Sequence, residues 1–468
     1  MDGNGKQLGF RGKVFRDPVH GLIRISPDDK FLVELINTPE FQRLRRIRQL
    51  GVSSYTYPGA DHSRFVHSLG VLNFTQRMLV ALDARYGKTH SDLASHLSNN
   101  RRLVLAAALL HDLGHGPFSH MIERVFEKSA DHEKKTEEII KAEHSYVNRA
   151  LRKNNIDPNA VAGLIAKESP HHLLMDLISS QLDADRMDYI LRDSLATGVK
   201  YGTYDAEWIL NSLCVGKEPG ETEAGDPKNW RLCIEEKRGL YSAEQLIVAR
   251  MHMSYQVYFH KSTRSWEAHL LCLLKTARKL AEDGLLPPST PPVIKKFLET
   301  GVLNAEDWLF FDESSMQGAF AVWATVNEVG DTANLAELSR AYLVRTKCYQ
   351  CKELVHMDVD KTMRLLAILT DAGQQDIDWH LDSISFSSYK DYGVTLRAAA
   401  QAEEGEDIST ASILAADGNP ETSATPVEGR STVLKSLGNQ SADGAGKVVR
   451  LYYHNRIATK LAPALQKF

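Results

Sequence analysis

Apolar and polar positions along this chain recur mostly with a helical period, and the one long unbroken apolar run is Leu103–Leu110. Crossing a bilayer takes about 20 such residues, so a run this short suits a helix buried on all sides. Upstream, strand-like pieces around Asp17-Pro18 and His20-Gly21 predict a small hairpin over Val14–Ile25. A helix is expected from about Asp29 to Asn37. Thr38-Pro39 then offers a fresh N-cap and first-turn proline for an arginine-rich helix, Phe41–Leu50. Another opens near Asp61 or Ser63 and runs to about Tyr86. Beyond the apolar run, short helices are predicted over Ile122–Glu127, His144–Lys153, Asp157–Lys167, His171–Ser179 and Asp183–Asp193. Leu213–Val215 and Trp230–Ile234 read as a second hairpin, and Leu240–Leu285 as a long, broken helical stretch.

The pattern stays helical to about Leu396, with Trp308, Phe310, Phe311, Phe320 and Trp323 read as core. Residues 398–446 are small and polar, the signature of a flexible linker. Val448–Phe468 regains apolar content and is expected to dock back as a strand and a helix. The fold class is therefore mainly α, with small marginal β-hairpins. The expected division is a loose N-terminus at 1–12, a catalytic unit at 13–285, a helical region at 286–397, the linker at 398–446 and the docking segment at 447–468.

Composition changes this picture little. The chain has 468 residues, is 43% hydrophobic and 25% charged, and carries a net charge of −4. Those values fit a soluble globular protein with a large core and give no reason to expect nucleic-acid or membrane binding. Five cysteines, unevenly scattered, do not make a disulfide framework. Cys348 and Cys351 form a single CxxC with no second pair, and read as two chance cysteines in a loop. No apolar core follows the N-terminus, so a reducing cytoplasm is the expected location.

Chemistry concentrates where the apolar run ends. His111 and Asp112 follow Leu110 directly, then Gly114, His115, Gly116, Pro117 and His120. Burying such groups without partners costs about 2–7 kcal/mol each, and a divalent cation removes that cost. His111 and His115 are spaced to share a helix face, and the glycines and Pro117 are placed to turn His120 back toward the same pocket. Imidazole with carboxylate and no thiolate suits Mn, Fe, Mg, Ni or Zn rather than a structural zinc cage. More donors are needed. His67 lies a turn into the helix after Asp61, with Arg64 on its face; Asp183, Asp185 and Asp188 crowd one short stretch and destabilise it unless a cation or an arginine compensates. His67, His111, Asp112 and Asp185 make a two-histidine, two-aspartate set.

The blocks Ser63-Arg64-Phe65, His67-Ser68-Leu69-Gly70, His111–His120 and Asp183–Asp193, in this order, resemble the HD-domain metal-dependent phosphohydrolases. The likeness is strongest to the deoxynucleoside-triphosphate triphosphohydrolase branch with its prokaryotic relatives, and runs from Lys13 to about Lys261. It implies an HD-type helical fold, a nucleotide substrate and a homo-oligomer. It also implies that Gln49, Arg64, Arg186, Tyr189, Asp193, Arg250, Tyr258, His260 and Lys261 contact substrate. The arginines and Lys261 would hold phosphates, Tyr189 would stack on the sugar, and Asp193 would accept from the 3′-hydroxyl. His115, His120, His144 and Glu123 would line the catalytic centre, with His120 as the acid. A nucleotide activator is implied near Lys13, Val14, Arg43 and Arg45. The chain departs from the family at Asn37 and Glu123, where the family has aspartate, and at Ser254, Tyr255 and Gln256, which replace arginines.

The expected reaction is hydrolysis of deoxynucleoside triphosphates to deoxynucleoside and inorganic triphosphate. Two alternatives stay open: the same chemistry on a nucleoside monophosphate, cyclic dinucleotide or alarmone, and a non-catalytic nucleotide sensor. Nucleic-acid binding is a weaker third.

Overall fold

A computed structural model of the chain describes residues 12–126, 131–221, 226–326, 331–354, 357, 359–384, 413–427, 430–436, 448–466 and 468. The fold is mainly α, with small sheets at its margins. It opens with the expected hairpin, β1 (Lys13–Asp17) paired antiparallel to β2 (Gly21–Ile25). Next come α1 (Lys30–Ile36) and α2 (Pro39–Arg43), the latter capped by Thr38, whose hydroxyl accepts from the Phe41 amide. The arginine-rich stretch is shorter than its pattern predicts. It tightens into a single turn at Leu44–Arg46 and becomes extended at Ile47. There the Arg48 amide gives up a helical bond to donate to Glu313 Oε1 at 3.0 Å.

Two long helices follow, α3 (Arg64–Tyr86) and α4 (Ser91–Leu110), packed on each other. Val104–Leu110 is completely buried, as an apolar run without a polar face must be. Around this pair lie α5 (His120–Phe126), α6 (His132–Lys141), α7 (Tyr146–Lys153), α8 (Pro158–Ile165), α9 (His172–Asp176) and α10 (Ala184–Thr197). Helix α10 lies across α3 so closely that a Cβ on Gly70 would stand 1.8 Å from Asp188 Oδ1. A larger side chain there would push apart the two helices that meet at the site.

After α11 (Ala206–Ser212) comes the second hairpin, β3 (Leu213–Lys217) and β4 (Trp230–Glu235). The long helical stretch is broken as predicted: α12 (Glu236–Met253) ends in a π-helical turn at Ser254–Tyr258, and α13 (Lys261–Glu282) restarts behind it. Helices α14 (Pro292–Thr300), α15 (Ala305–Trp308), α16 (Glu313–Trp323) and α17 (Asp331–Leu343) complete the main core. Trp308, Phe311, Phe320 and Trp323 are buried in it, whereas Phe310 is exposed.

The C-terminal part adds a three-stranded sheet, β5 (Tyr349–Leu354), β6 (Trp379–Ile384) and β9 (Val448–His454), in the order β5-β9-β6, backed by α18 (Val359–Ala372) and α19 (Asn455–Leu465). Leu354, Leu365, Leu369, Leu451 and Leu461 form its own small core. Arg264 on α13 pins the sheet through a fork to Asp382 on β6, with Nε 2.8 Å from Oδ2. Cys348 precedes β5, Cys351 lies within it, and both are free thiols.

One expectation needs correction. Within the stretch read as a linker, Leu414–Ala416 forms β7, parallel to β4, and Thr425–Pro426 forms β8 against β7. Ile413–Ala416 and Val427 are buried. The hairpin thereby becomes a four-stranded sheet. The pairing satisfies the open edge of β4 with residues far along the chain, which no local pattern announces. Residues 1–11, 398–412 and 437–447 lie outside the described residues. No described helix is long and apolar enough to cross a membrane.

Candidate metal centre and substrate cavity

Helix α4 ends at Leu110; His111 is its C-cap, and turns follow. His111 and His115 therefore do not share a helix face, as their spacing alone predicts. The chain leaves the helix because Gly114 lies against α6, where a Cβ would meet the His132 carbonyl oxygen at 2.1 Å. The Gly114 amide is taken by the Thr136 hydroxyl at 2.8 Å instead of a helical carbonyl.

This turn brings donors from three segments to one point. His67 Nε2 lies 3.0 Å from Asp185 Oδ1 and 3.8 Å from Asp112 Oδ2. His111 Nε2 lies 3.4 Å from Asp112 Oδ1 and 3.7 Å from Asp185 Oδ1. Ligand atoms of His67, His111 and Asp112 all fall within 4.8 Å of one another. The outer nitrogens set the tautomers: His111 Nδ1 is 2.9 Å from the Ala108 carbonyl, and His67 Nδ1 is 2.8 Å from Asp188 Oδ2. With a cation bound, each Nδ1–H would donate outward and each Nε2 would turn its lone pair inward. His111 Nε2 is buried and makes no hydrogen bond. An orphaned imidazole nitrogen facing two carboxylates is what a divalent cation requires.

A ring of charge supports His67 from behind. Asp188 accepts from Arg192 Nε at 2.7 Å through Oδ2 and bonds His20 Nε2 at 2.7 Å through Oδ1; Arg192 also reaches Asp17 at 2.8 Å. These groups are buried. Burial opposes the Asp188 charge, but Arg192 and the two histidines hold its carboxyl far below the usual range. Likewise, burial resists the Asp112 charge while Arg64, His111 and His115 keep it ionised.

Beside the donors stands a cluster that sequence reading found only in part. His115 Nε2 is 3.2 Å from Asp112 Oδ1, and its ring stacks on His132 at 3.9 Å between centroids. His132 Nδ1 bonds Glu123 Oε1 at 2.8 Å. Burial, with Arg64 and His132 nearby, holds the His115 imidazole well below its ordinary pKa. Burial acts on His132 in the same direction, but its bond to Glu123 outweighs this and raises it. The two stacked rings thus favour opposite protonation states. His132 is not among the residues expected at the site, and only its residue type marks it in the sequence.

The connecting loop is strained. Phe118 and Ser119 have φ of 59° and 51°, a conformation costing non-glycine residues about 1–3 kcal/mol each. Glu313 Oε1 accepts from the Phe118 amide at 3.3 Å, and Ser119 Oγ accepts from Arg64 Nη2 at 2.9 Å. Both anchors hold the loop over the donors.

The donors open into a cavity of about 220 Å³ lined by Gln49, Arg64, His115, His132 and Tyr189. Gln49, Arg64 and Tyr189 also line a second chamber of about 410 Å³, walled by Leu50, Phe118, Asp193, Tyr258 and Phe259. One space lies at the donors, the other among apolar residues together with Arg124, Asp193, Arg264 and Glu267.

Other expected residues fall elsewhere. Arg186 turns from the cavity to Asp183 and the Ser180 carbonyl, because Asp183 caps α10 and is buried beside it. Arg250 donates to Gln181 Oε1 at 3.0 Å and lines neither chamber. His260 caps α13, its Nδ1 accepting from the Ser262 amide at 3.2 Å, and Lys261 is exposed. His144 is exposed just before α7, outside the cavity lining. The His120 side chain lies outside the described residues. Arg43 cannot meet an activator: it is 1% exposed and donates to the carbonyls of Leu113, His115 and Phe311. Lys13 and Val14 are exposed, and Arg45 is exposed over the Phe65 ring at 3.5 Å.

Residues 64–193 match the HD domain, a span that starts at Arg64 and ends at Asp193. The chain is 42% identical over 334 residues to the uncharacterized protein YwfO of Bacillus subtilis, covering 71% of this chain and 70% of that one. It is 48% identical over 123 residues to the deoxynucleoside triphosphate triphosphohydrolase SAMHD1 of Xenopus laevis, covering 26% of this chain and 18% of that one. A phosphohydrolase structure from Bacteroides thetaiotaomicron superposes with a TM-score of 0.70 at 27% identity, over 95% of this chain and 100% of that one. A shared domain, a full-length fold match and the meeting of histidines with aspartates place this chain in the HD-domain phosphohydrolase family.

Proposed function

We propose that this protein is a metal-dependent hydrolase of deoxynucleoside triphosphates, releasing deoxynucleoside and inorganic triphosphate. The observation that carries the reading is a pair of adjacent chambers that share Gln49, Arg64 and Tyr189 in their walls, one at a donor set for a divalent cation and the other a partly apolar space of about 410 Å³. His67, His111, Asp112 and Asp185 are the residues that would hold the cation. When bound, the cation neutralises phosphate charge and activates water for attack.

The chain's own groups do the rest. Arg64 Nη1 is held 2.6 Å from Asp112 Oδ2 and Nη2 2.9 Å from Ser119 Oγ, which leaves one N–H on each for phosphate oxygens. Gln49, beside it, has a buried side-chain oxygen without a hydrogen-bond partner. His115 stands between the donors and the His132–Glu123 pair, placed to exchange a proton with the bond that breaks, and His120 remains the proposed acid. Tyr189 and Tyr258, with ring centroids 6.3 Å apart, flank the sugar position, and Asp193 accepts from the 3′-hydroxyl. A homo-oligomer and a nucleotide activator at exposed Lys13, Val14 and Arg45 belong to the same proposal.

The test is product identification. Purified protein with its metal content measured is incubated with each of the four deoxynucleoside triphosphates and the four ribonucleotides, with Mn or Mg supplied. Free triphosphate from the deoxy series is expected. Orthophosphate released from monophosphates instead would overturn the substrate assignment, and no turnover of any nucleotide would overturn the enzyme reading.

A further inference from the structure

His62 directly precedes the Ser63-Arg64-Phe65 block but is neither a donor to the metal centre nor part of the lining of either chamber. Its surroundings are unusual for a residue without a task. The side chain is 11% exposed, and Nε2 lies 2.7 Å from Asp193 Oδ1. Nδ1 is buried and makes no hydrogen bond. Among the described residues the ring therefore makes one hydrogen bond, to Asp193. An ionised carboxylate only accepts, so Nε2 carries the proton and donates.

The other oxygen of Asp193 is held as well. Tyr258, at the end of the π-helical turn, donates its hydroxyl to Asp193 Oδ2 at 2.8 Å. Two donors from separate segments thus clamp the carboxylate. Each carboxylate oxygen has about two acceptor sites, so one remains on each for a ligand in the second chamber, which Asp193 lines. The backbone of His62 is tied to that chamber too: its carbonyl accepts from the Gln49 amide at 2.9 Å. One residue thereby connects Asp193 on α10 to the Gln49 segment and the start of α3.

We propose that His62 is a positioning residue for sugar recognition: it fixes the Asp193 carboxylate so that its free acceptor sites meet the 3′-hydroxyl of a deoxynucleoside. This rests on the substrate reading above. It goes further by assigning hydroxyl recognition to a His62–Asp193–Tyr258 unit, in which Asp193 touches the ligand and His62 acts through it. Loosening the carboxylate weakens only that bond, so the defect depends on whether the ligand has a 3′-hydroxyl.

The experiment compares wild type, His62→Ala and His62→Gln on deoxyadenosine triphosphate and 2′,3′-dideoxyadenosine triphosphate, recording kcat and KM separately. Binding of deoxyadenosine and dideoxyadenosine is measured in parallel by calorimetry, with melting temperature and metal content as fold controls. His62→Ala is expected to lower kcat/KM on the deoxy substrate about 10- to 100-fold, the loss appropriate to a hydrogen bond with a charged group. The dideoxy substrate should change by less than about threefold, and His62→Gln, which keeps an N–H donor, should recover most of the loss. Equal losses on both substrates, or none, overturn the inference. If wild type hydrolyses no triphosphate yet binds deoxyadenosine more tightly than dideoxyadenosine in a His62-dependent way, the hydrolase reading fails and this one stands. Binding that ignores the 3′-hydroxyl overturns the inference outright.

Discussion

His67 Nδ1 and Asp188 Oδ2 lie 2.8 Å apart with both side chains fully enclosed. This contact decides which nitrogen of His67 faces the metal centre. The first prediction is that Asp188→Asn, which removes the charge but little volume, lowers metal affinity about 10- to 100-fold. Competition with a chelator of known affinity measures it. Arg192 keeps Asp17 at 2.8 Å in the same variant but loses one of its two buried carboxylate charges, which costs up to about 3 kcal/mol. A lowered melting temperature without added metal is therefore also expected. An unchanged metal affinity would mean that Asp188 serves the fold alone.

The stacked pair His115 and His132 predicts a separable catalytic defect. Removing the Glu123 bond should lower the turnover number without emptying the metal centre. His132→Ala is expected to reduce kcat by about 10²-fold or more, within the range for proton transfer by a placed side chain. Metal content, read by elemental analysis, should match wild type.

At the far edge of the second chamber, Arg264 connects Glu267 with Asp382 of the C-terminal sheet. Asp382 is 6% exposed. Burial works against its charge, and Arg264 more than offsets this, so its carboxyl sits below the ordinary value. Asp382→Ala leaves the guanidinium with one carboxylate in place of two. A loss of up to about 3 kcal/mol in denaturant unfolding is expected, with a larger effect on KM than on kcat because Arg264 lines the second chamber and not the cavity at the donors.

His269 predicts an acid limb of stability far from the metal centre. Burial holds its pKa down at about 4, and Nε2 donates to the Leu338 carbonyl at 2.9 Å. In the unfolded chain the group has an ordinary value of about 6.5. Below that pH the unfolded state takes up a proton that the folded state refuses until about pH 4. Stability from this residue is therefore complete above about pH 6.5 and falls as pH drops, by about 1.4 kcal/mol per unit. Denaturant melts of wild type and His269→Gln between pH 7 and pH 4.5 measure it; parallel curves would refute it. His96, also held near 4, mainly by burial, contributes to both curves alike.

The chain's own residues settled a good deal before any fold was known. A run as apolar as Leu103–Leu110 has one stable place, the interior. Groups as polar as His111 and Asp112 at its end demand compensation there, so the buried helix and the need for a partner at its end follow from solvation alone. His67 and Asp185 were legible for a related reason: a histidine inside an apolar block and crowded aspartates both need a partner. Tertiary structure decided the rest. It turned Arg186 to Asp183 and buried Arg43 under three carbonyls, because an arginine's spacing does not say whether phosphate or backbone will receive its donors. It left His144 in solvent, stacked His132 on His115, gave His62 to Asp193, and brought Leu414–Ala416 to the edge of β4. Such contacts join residues far apart in the chain, and their energy depends on distance in space, which residue order alone does not encode.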